Sequence, residues 1–160
     1  MLGELLLIRH GKAESKDTPK PDFDRKLTEE GIQEFTDFMS VLEPLLRDKK
    51  PLKVWTSPLI RAKETADILT TALKIEAASE KSFLANGDSK QLLKALKAEE
   101  DDFNIICVGH EPFMSMWSKE LTGAIMPFPK GGAMNVIFDD KNSANGKLDW
   151  KLAPKQTKKW

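Results

Sequence analysis

The sequence is poor in the residues from which disulfides and metal centres are built. Its 160 residues include one cysteine, Cys107, and two histidines, His10 and His110. One cysteine excludes an internal disulfide and a cysteine-based zinc site, and two histidines are too few for a histidine-rich metal cluster. His10 and His110 therefore need a role other than a metal cluster of histidines.

An excess of charge of one sign is also lacking, because 25 basic residues balance 25 acidic residues. A nucleic-acid-binding domain normally carries a basic excess, so the balance argues against nucleic acid as a partner. The apolar run at residues 5–8 stops at Arg9. A signal peptide needs about 7–15 apolar residues and a membrane helix about 20, so we expect a cytoplasmic protein without a membrane partner.

The length of the chain, 160 residues, suits one domain. We expect this domain to span residues 1–160, with a basic and loosely ordered tail at residues 154–160. For a chain of this size a monomer is the default expectation.

Short apolar runs alternate with helical patterns along the chain. The runs at residues 5–8, 52–56 and 105–108 are typical of buried parallel strands. Ser57 as an N-cap before Pro58 predicts the start of one helix. Other patterns predict helices after Thr28, at 89–97 and at 111–121, and strands at 75–77, 133–138 and 147–152. The alternation predicts an α/β fold: a three-layer α/β/α sandwich, with a mostly parallel sheet and an antiparallel C-terminal strand.

Residues suited to bind an anion follow the predicted strands. Arg9 and His10 follow the first strand, His110 follows the strand at 105–108, and Arg61 lies in the first turn of the helix after the second strand. In open α/β sheets, ligands bind at the carboxyl ends of the strands. Arginine binds phosphate oxygens in pairs, and histidine is a nucleophile towards phosphorus. Any one of these residues is more often structural, but the four together at one sheet edge predict a phosphate site.

These residues also resemble the signatures of the histidine phosphatase (phosphoglycerate-mutase-like) superfamily. The segments at 7–11 (LIRHG), 57–66 (SPLIRAKETA) and 108–110 (VGH) are similar to its three sequence blocks. The resemblance implies a phosphoglycerate-mutase-like fold and a phosphatase that needs no metal or cofactor. It also implies that His10 is the nucleophile that becomes phosphohistidine, and that Arg9, Arg61 and His110 hold the phosphate oxygens.

Within this superfamily the chain is most similar to the small SixA-type phosphohistidine phosphatases. Residues 25–31 (RKLTEEG) match a block of that group, and residues 83–87 (FLANG) stand where larger members carry a glutamate general acid. A phosphoramidate leaves through a nitrogen that can depart protonated, so a missing acid favours protein phosphohistidine, for example on a histidine phosphotransfer domain. Asp22 and Arg25, in the loop over the pocket, are candidate substrate contacts.

Two other functions stay open at this point. One alternative is a phosphomonoesterase for a small phosphate ester of the sugar or ribazole type, with Glu80, Glu111 or Asp22 as the proton donor. The other is a catalytically silent phosphate-binding module that keeps the fold. The presence of both histidines and both arginines of the predicted phosphate site argues against a silent module.

Two unrelated phosphatase classes are excluded by local sequence. Asp22 and Asp24 have the spacing of the haloacid-dehalogenase aspartates, but Lys20-Pro21 precedes them instead of a buried strand. A cysteine phosphatase needs an arginine six positions after the cysteine, and Phe113 stands there.

Overall fold

The computed structural model describes residues 1–154, in which strands and helices alternate. The strands are β1 (Leu2–Arg9), β2 (Lys53–Thr56), β3 (Ser79–Glu80), β4 (Phe103–Gly109), β5 (Ala133–Asp139) and β6 (Lys147–Leu152). The α-helices are α1 (Glu29–Leu46), α2 (Ile60–Leu73), α3 (Phe83–Asn86), α4 (Ser89–Lys97) and α5 (Phe113–Thr122), and a short 3₁₀ helix spans Asp22–Asp24. The prediction of an α/β chain is confirmed.

All these strands join one mixed sheet in the order β3-β2-β4-β1-β5-β6. Strands β1 to β4 run parallel, whereas β5 is antiparallel to β1 and β6 is antiparallel to β5. β1 and β4 lie side by side in the middle, with Leu5 opposite Ile105. Their continuous apolar runs follow from this position, because a central parallel strand is covered on both faces.

Helices cover both faces of the sheet. Leu5 and Leu7 of β1 join a buried cluster with residues of α3, α4 and α5 on one face. Leu6 and Ile8 join a second cluster, formed with α1 and α2, on the other face. This alternation is the period of two expected along a strand. The three-layer sandwich is therefore confirmed.

The helix after Thr28 also begins as predicted. The Thr28 hydroxyl accepts a hydrogen bond from the N–H of Gly31 at 2.9 Å, and Glu29 and Glu30 occupy the first turn of α1. The hydroxyl satisfies one unpaired N–H group, and the two acids complement the helix dipole.

Three other predicted boundaries were wrong. Helix α2 begins at Ile60 rather than after Ser57, because Ser57 forms a turn in which its hydroxyl accepts from the N–H of Leu59 at 3.2 Å. The short strand after α2 lies at residues 79–80 instead of 75–77, and α5 begins at Phe113 instead of residue 111. The same Ser57 hydroxyl also lies 2.7 Å from the ring of His110.

Only part of the predicted tail lies within the described residues. Pro154 is buried, and residues 155–160 lie outside the described part of the chain. The tail at 154–160 and the single domain at 1–160 therefore stay predictions. In the described part of the chain, no helix has both the length and the apolar character needed to cross a membrane.

Candidate active site

The two histidines lie side by side at the carboxyl end of the sheet. β1 and β4 end in register, with Arg9 opposite Gly109, so the residue after each strand is a histidine at the same edge. The N–H of His10 donates to the carbonyl oxygen of Gly109 at 3.0 Å, and the ring centroids of His10 and His110 are 5.1 Å apart. The structure thus brings together the two histidines that the sequence placed after separate strands.

The ring of His10 is held by a backbone carbonyl group. Its Nδ1 lies 2.7 Å from the carbonyl oxygen of Gly11, so Nδ1 donates and Nε2 keeps a free electron pair. The N–H of Gly11 in turn donates to the hydroxyl of Thr65 in α2 at 3.1 Å. Burial is the main cause that lowers the pKa of His10 to about 3, so the ring is neutral and nucleophilic near pH 7.

His110 is oriented by a hydroxyl group. Its Nε2 lies 2.7 Å from the Oγ of Ser57, and its buried Nδ1 has no hydrogen-bond partner. When the Ser57 hydroxyl donates to Nε2, Nδ1 carries the ring hydrogen and is available to donate to a ligand. Burial is again the main cause that lowers the pKa of His110, to about 4, so this ring is also neutral near pH 7.

The two predicted arginines reach the same place from different elements. Arg9, the last residue of β1, donates through Nη1 to the carbonyl oxygen of Phe128 at 2.8 Å. Arg61, in the first turn of α2, donates through Nη1 to the carbonyl oxygen of Asp22 at 2.8 Å. Burial lowers the pKa of both guanidinium groups, which remain cationic because arginine starts from a pKa above about 12.

Asp22 and Arg25 form one ion-pair network with Arg61. The carboxylate of Asp22 lies 2.9 Å from Nε of Arg25 and 3.2 Å from Nη2 of Arg61. Arg25 is buried and also donates to the carbonyl oxygen of Glu14 at 2.6 Å. Desolvation opposes ionisation of Asp22, but hydrogen bonds and charge from the two arginines outweigh it and lower the pKa of this carboxyl.

Unsatisfied hydrogen-bond donors mark the centre of this arrangement. Among the described residues, the buried side-chain nitrogens without a partner are Arg9 Nε, Arg61 Nε and His110 Nδ1. All three residues line one cavity of about 270 Å³, together with His10 and Arg25. A buried polar group left unpaired costs about 1–3 kcal/mol. Three such groups in one cavity indicate a site for an anion with several acceptor oxygens.

The same cavity has a poor donor set for a metal ion. Within residues 1–154, no three His, Cys, Asp or Glu side chains converge as metal ligands. The cavity wall instead presents Arg9, Arg25 and Arg61, which attract an anion and repel a cation.

Sequence reasoning missed the groups that hold these side chains in place. The carbonyl oxygen of Phe128 fixes Arg9, but a backbone acceptor leaves no signature in the residue type. The hydroxyl of Ser57 contacts His110, whereas the Ser-Pro pair predicts only a helix cap. A serine beside a predicted strand end is the one signal in the sequence for this contact.

Comparison with known proteins places the chain in a family. The sequence profile of the histidine phosphatase superfamily (branch 1) matches residues 5–84, half of the chain. The protein therefore belongs to the histidine phosphatase superfamily, as the resemblance predicted, and its general class is that of the phosphatases. The matched segment contains Arg9, His10 and Arg61.

Several solved structures share the fold of this chain. SixA from Agrobacterium tumefaciens superposes with a TM-score of 0.80 at 22% identity, covering 96% of this chain and 99% of that one. A protein histidine phosphatase SixA complexed with tungstate gives a TM-score of 0.76 at 22% identity, with coverages of 94% and 97%. A mycobacterial glucosyl-3-phosphoglycerate phosphatase with inorganic phosphate gives 0.72 at 18% identity, with coverages of 94% and 98%.

At these identities the likeness concerns the fold, and the predicted phosphoglycerate-mutase-like fold is confirmed. Comparison with curated proteins gave no significant sequence match.

Proposed function

We propose that this protein is a phosphohistidine phosphatase that works through a phosphorylated His10. Its substrate is protein phosphohistidine, for example on a histidine phosphotransfer domain, and it acts as a cytoplasmic monomer without a metal ion or cofactor. The observation that carries the proposal is the set of three unpartnered buried nitrogens beside the free Nε2 of His10. Together they provide a nucleophile and the donors for the oxygens of a phosphoryl group.

The reaction has two displacement steps at phosphorus. In the first step, Nε2 of His10 attacks, the phosphorus–nitrogen bond of the substrate breaks, and the leaving imidazole takes a proton from solvent. In the second step, water attacks the phosphohistidine and loses a proton, inorganic phosphate leaves, and Nε2 recovers its electron pair. Arg9, Arg61 and His110 donate to the phosphoryl oxygens and stabilise the negative charge of both transition states.

Arg25 and Asp22 have different roles in this proposal. Arg25 is buried in the cavity wall and binds the substrate phosphoryl group next to Arg61. The carboxylate of Asp22 bridges the two guanidinium groups, holds them close together and offsets their mutual repulsion before substrate arrives. Asp22 therefore contacts the substrate only at the edge of the phosphate site.

The state of the nearby carboxylates supports a nitrogen leaving group. Glu14 accepts hydrogen bonds from Lys20 and from the N–H of Lys26, and Asp22 is paired with two arginines. Glu80 lies on the exposed strand β3 at 3.4 Å from Lys63. Their partners lower the pKa of Glu14 and of Asp22, so these two are poor proton donors, and a phosphoramidate needs a donor less than an ester does.

A small-molecule phosphomonoesterase is the second candidate. The observation in its favour is the carboxylate of Glu111 in the cavity wall, since an ester needs a proton donor for its alkoxide. The fold is compatible with ester hydrolysis, because one structural neighbour is a glucosyl-3-phosphoglycerate phosphatase.

The test is a phosphoenzyme trap with radiolabelled phosphohistidine peptide, quenched in base. We expect label on the wild-type protein that is stable in base, labile in acid and absent from His10→Ala, together with a loss of turnover of more than about 1,000-fold, as for other nucleophile deletions. Label or turnover that survives in His10→Ala would contradict the mechanism. Absence of label and turnover in the wild type would favour a silent phosphate-binding module.

The substrate class is tested separately. Turnover of phosphohistidine peptide and of small phosphate esters is compared across pH at equal enzyme concentration. We expect the phosphoramidate to be the better substrate throughout. A preference for esters, with a rate that falls at high pH as a donor loses its proton, would support the phosphomonoesterase instead.

A further inference from the structure

The carboxylate of Glu111 lies in the wall of the phosphate cavity but is engaged by the protein itself. Its Oε1 accepts from the N–H of Ser115 at 2.9 Å, and its Oε2 accepts from the N–H of Phe128 at 3.1 Å. The hydroxyl of Ser115 lies within 2.9 Å of Oε2. One side chain thus joins the start of α5 to the loop at residues 123–132, which precedes β5.

That loop in turn holds Arg9. The N–H of Phe128 donates to Glu111, and the carbonyl group of the same residue accepts from Nη1 of Arg9 at 2.8 Å. Two further backbone bonds of 3.0 Å fix the end of the loop, from Gly131 N–H to the His10 carbonyl and from Arg9 N–H to the Gly132 carbonyl. A continuous chain of hydrogen bonds therefore runs from Glu111 through Phe128 to the guanidinium group of Arg9.

We propose that Glu111 is a positioning residue: it anchors the loop at Phe128 so that the Phe128 carbonyl aims Arg9 at the phosphoryl oxygens. This inference rests on the proposed function of the site. It assigns to Glu111 a role different from the proton donor that a phosphomonoesterase would require.

The hydrogen bonds of Glu111 favour the positioning role. Both carboxylate oxygens accept from backbone N–H groups, one from α5 and one from the loop, and this is the arrangement that a loop anchor requires. The charge of Glu111 also acts on Arg9: burial lowers the pKa of Arg9, and the charge of Glu111 opposes that shift. The carboxylate therefore contacts the loop and also stabilises the charge of the arginine.

The inference is tested by the affinity for tungstate, an inert phosphate mimic, measured by titration calorimetry. Glu111→Ala removes the charged acceptor of the Phe128 N–H and so loosens the loop that holds Arg9. We expect this variant to bind tungstate about tenfold more weakly than the wild type, or weaker still. Glu111→Gln keeps one carbonyl oxygen as an acceptor, so we expect it to stay within about threefold of the wild type. Glu120→Gln, at an exposed position near the far end of α5, is the matched control and should bind as the wild type does.

A double-mutant cycle shows whether the effect passes through Arg9. In an Arg9→Ala background, Glu111→Ala should weaken tungstate binding by no more than about a further twofold, because the arginine that it positions is gone. Equal affinity of Glu111→Ala and wild type, or fully additive losses in the cycle, would overturn the inference. Glu111→Gln could also bind tungstate normally but turn over as slowly as Glu111→Ala. That result would overturn the inference and make Glu111 a proton donor.

A second readout covers the case in which Glu111→Ala does not fold. Hydrogen exchange of the Phe128 N–H should be faster in Glu111→Met, which keeps the length of the side chain but has no oxygen acceptor, than in the wild type, while Ser115→Ala, which keeps the Phe128 bond, should leave it unchanged. Unchanged exchange in Glu111→Met would contradict the anchor. A wild-type protein that binds no tungstate would refute the proposed function and this inference together, whereas the outcomes above concern Glu111 alone.

Discussion

The two ends of one sheet each carry a cleft, and the two clefts differ in how their charges are matched. At the amino ends of β1 and β4 lies a cavity of about 360 Å³. There Glu99 and Asp101 form ion pairs with lysines at 2.7 and 3.4 Å, and the N-terminal ammonium group of Met1 donates to three backbone carbonyls. At the carboxyl ends, the smaller cavity of about 270 Å³ has unpartnered donors on three residues.

The volume of a cleft does not identify the functional site of this molecule. In the larger cleft Glu99, Asp101 and the ammonium group of Met1 already have partners, so a ligand that binds these groups would have to displace existing contacts. The smaller cleft holds buried donors whose desolvation is not yet compensated, and an anion compensates it. Variants at the two ends should therefore have effects of very different size.

The largest effect is expected from Arg61→Ala. This change removes a cation and the unpartnered Nε at the phosphate cleft, and loss of one such transition-state donor lowers kcat by about 100- to 1,000-fold. Steady-state turnover of phosphohistidine peptide measures it. A matched change at the other cleft, Lys141→Ala, should leave kcat unchanged, and equal losses in both variants would break the comparison.

The buried His10 of the phosphate cleft should also make the stability of the protein depend on pH. The pKa of His10 is about 3 in the folded protein, against about 6.5 in an unfolded chain. Between these values the unfolded chain binds more protons, so stability is full above the unfolded pKa and is lost as the pH falls towards the folded pKa.

We therefore expect the wild type to lose at least about 1.4 kcal/mol more than His10→Gln between pH 7 and pH 4, the value of one pKa unit. Urea unfolding at several pH values gives this difference. Lys141→Ala should follow the wild-type curve, and parallel curves for wild type and His10→Gln would contradict the burial of a neutral His10.

A smaller loss is expected from Ser57→Ala, which removes the hydroxyl that orients His110 at 2.7 Å. One hydrogen bond of this kind contributes about 0.5–1.5 kcal/mol, so kcat/KM should fall by about three- to tenfold. The tautomer of His110, read from nitrogen chemical shifts, should change in the same variant. An unchanged tautomer would show that the hydroxyl does not fix the ring.

The smallest effect is expected from Lys53→Ala at the amino end, which breaks the ion pair with Glu99. Exposed pairs contribute about 0–1 kcal/mol after solvent screening, so thermal unfolding should shift only slightly and turnover should not change. A large loss of activity in this variant would show that the two clefts are coupled through the sheet.

The sequence was informative where a side chain itself follows a strand. Arg9, His10 and His110 were found because short buried runs locate strand ends, and parallel neighbours place those ends at one edge. The strand after α2 was misplaced because Ser79–Glu80 has only two exposed residues and no apolar pattern.

The positions of the supporting groups were not predictable in the same way. The carbonyl of Phe128 accepts from Arg9, which is 119 residues away in sequence. The hydroxyl of Ser57 contacts His110, which is 53 residues away. Such contacts depend on loop paths, which neither hydrophobic periodicity nor residue type determines.

The central place of β1 has a consequence for how the protein is made. This strand is synthesised before both of its partners in the sheet, which start about 100 and 130 residues later, at Phe103 and Ala133. The phosphate pocket is therefore one of the last parts of the molecule to be assembled, because the Phe128 carbonyl must arrive before Arg9 is held. Anion binding by a nascent or truncated chain would thus report that the whole sheet has closed around its first strand.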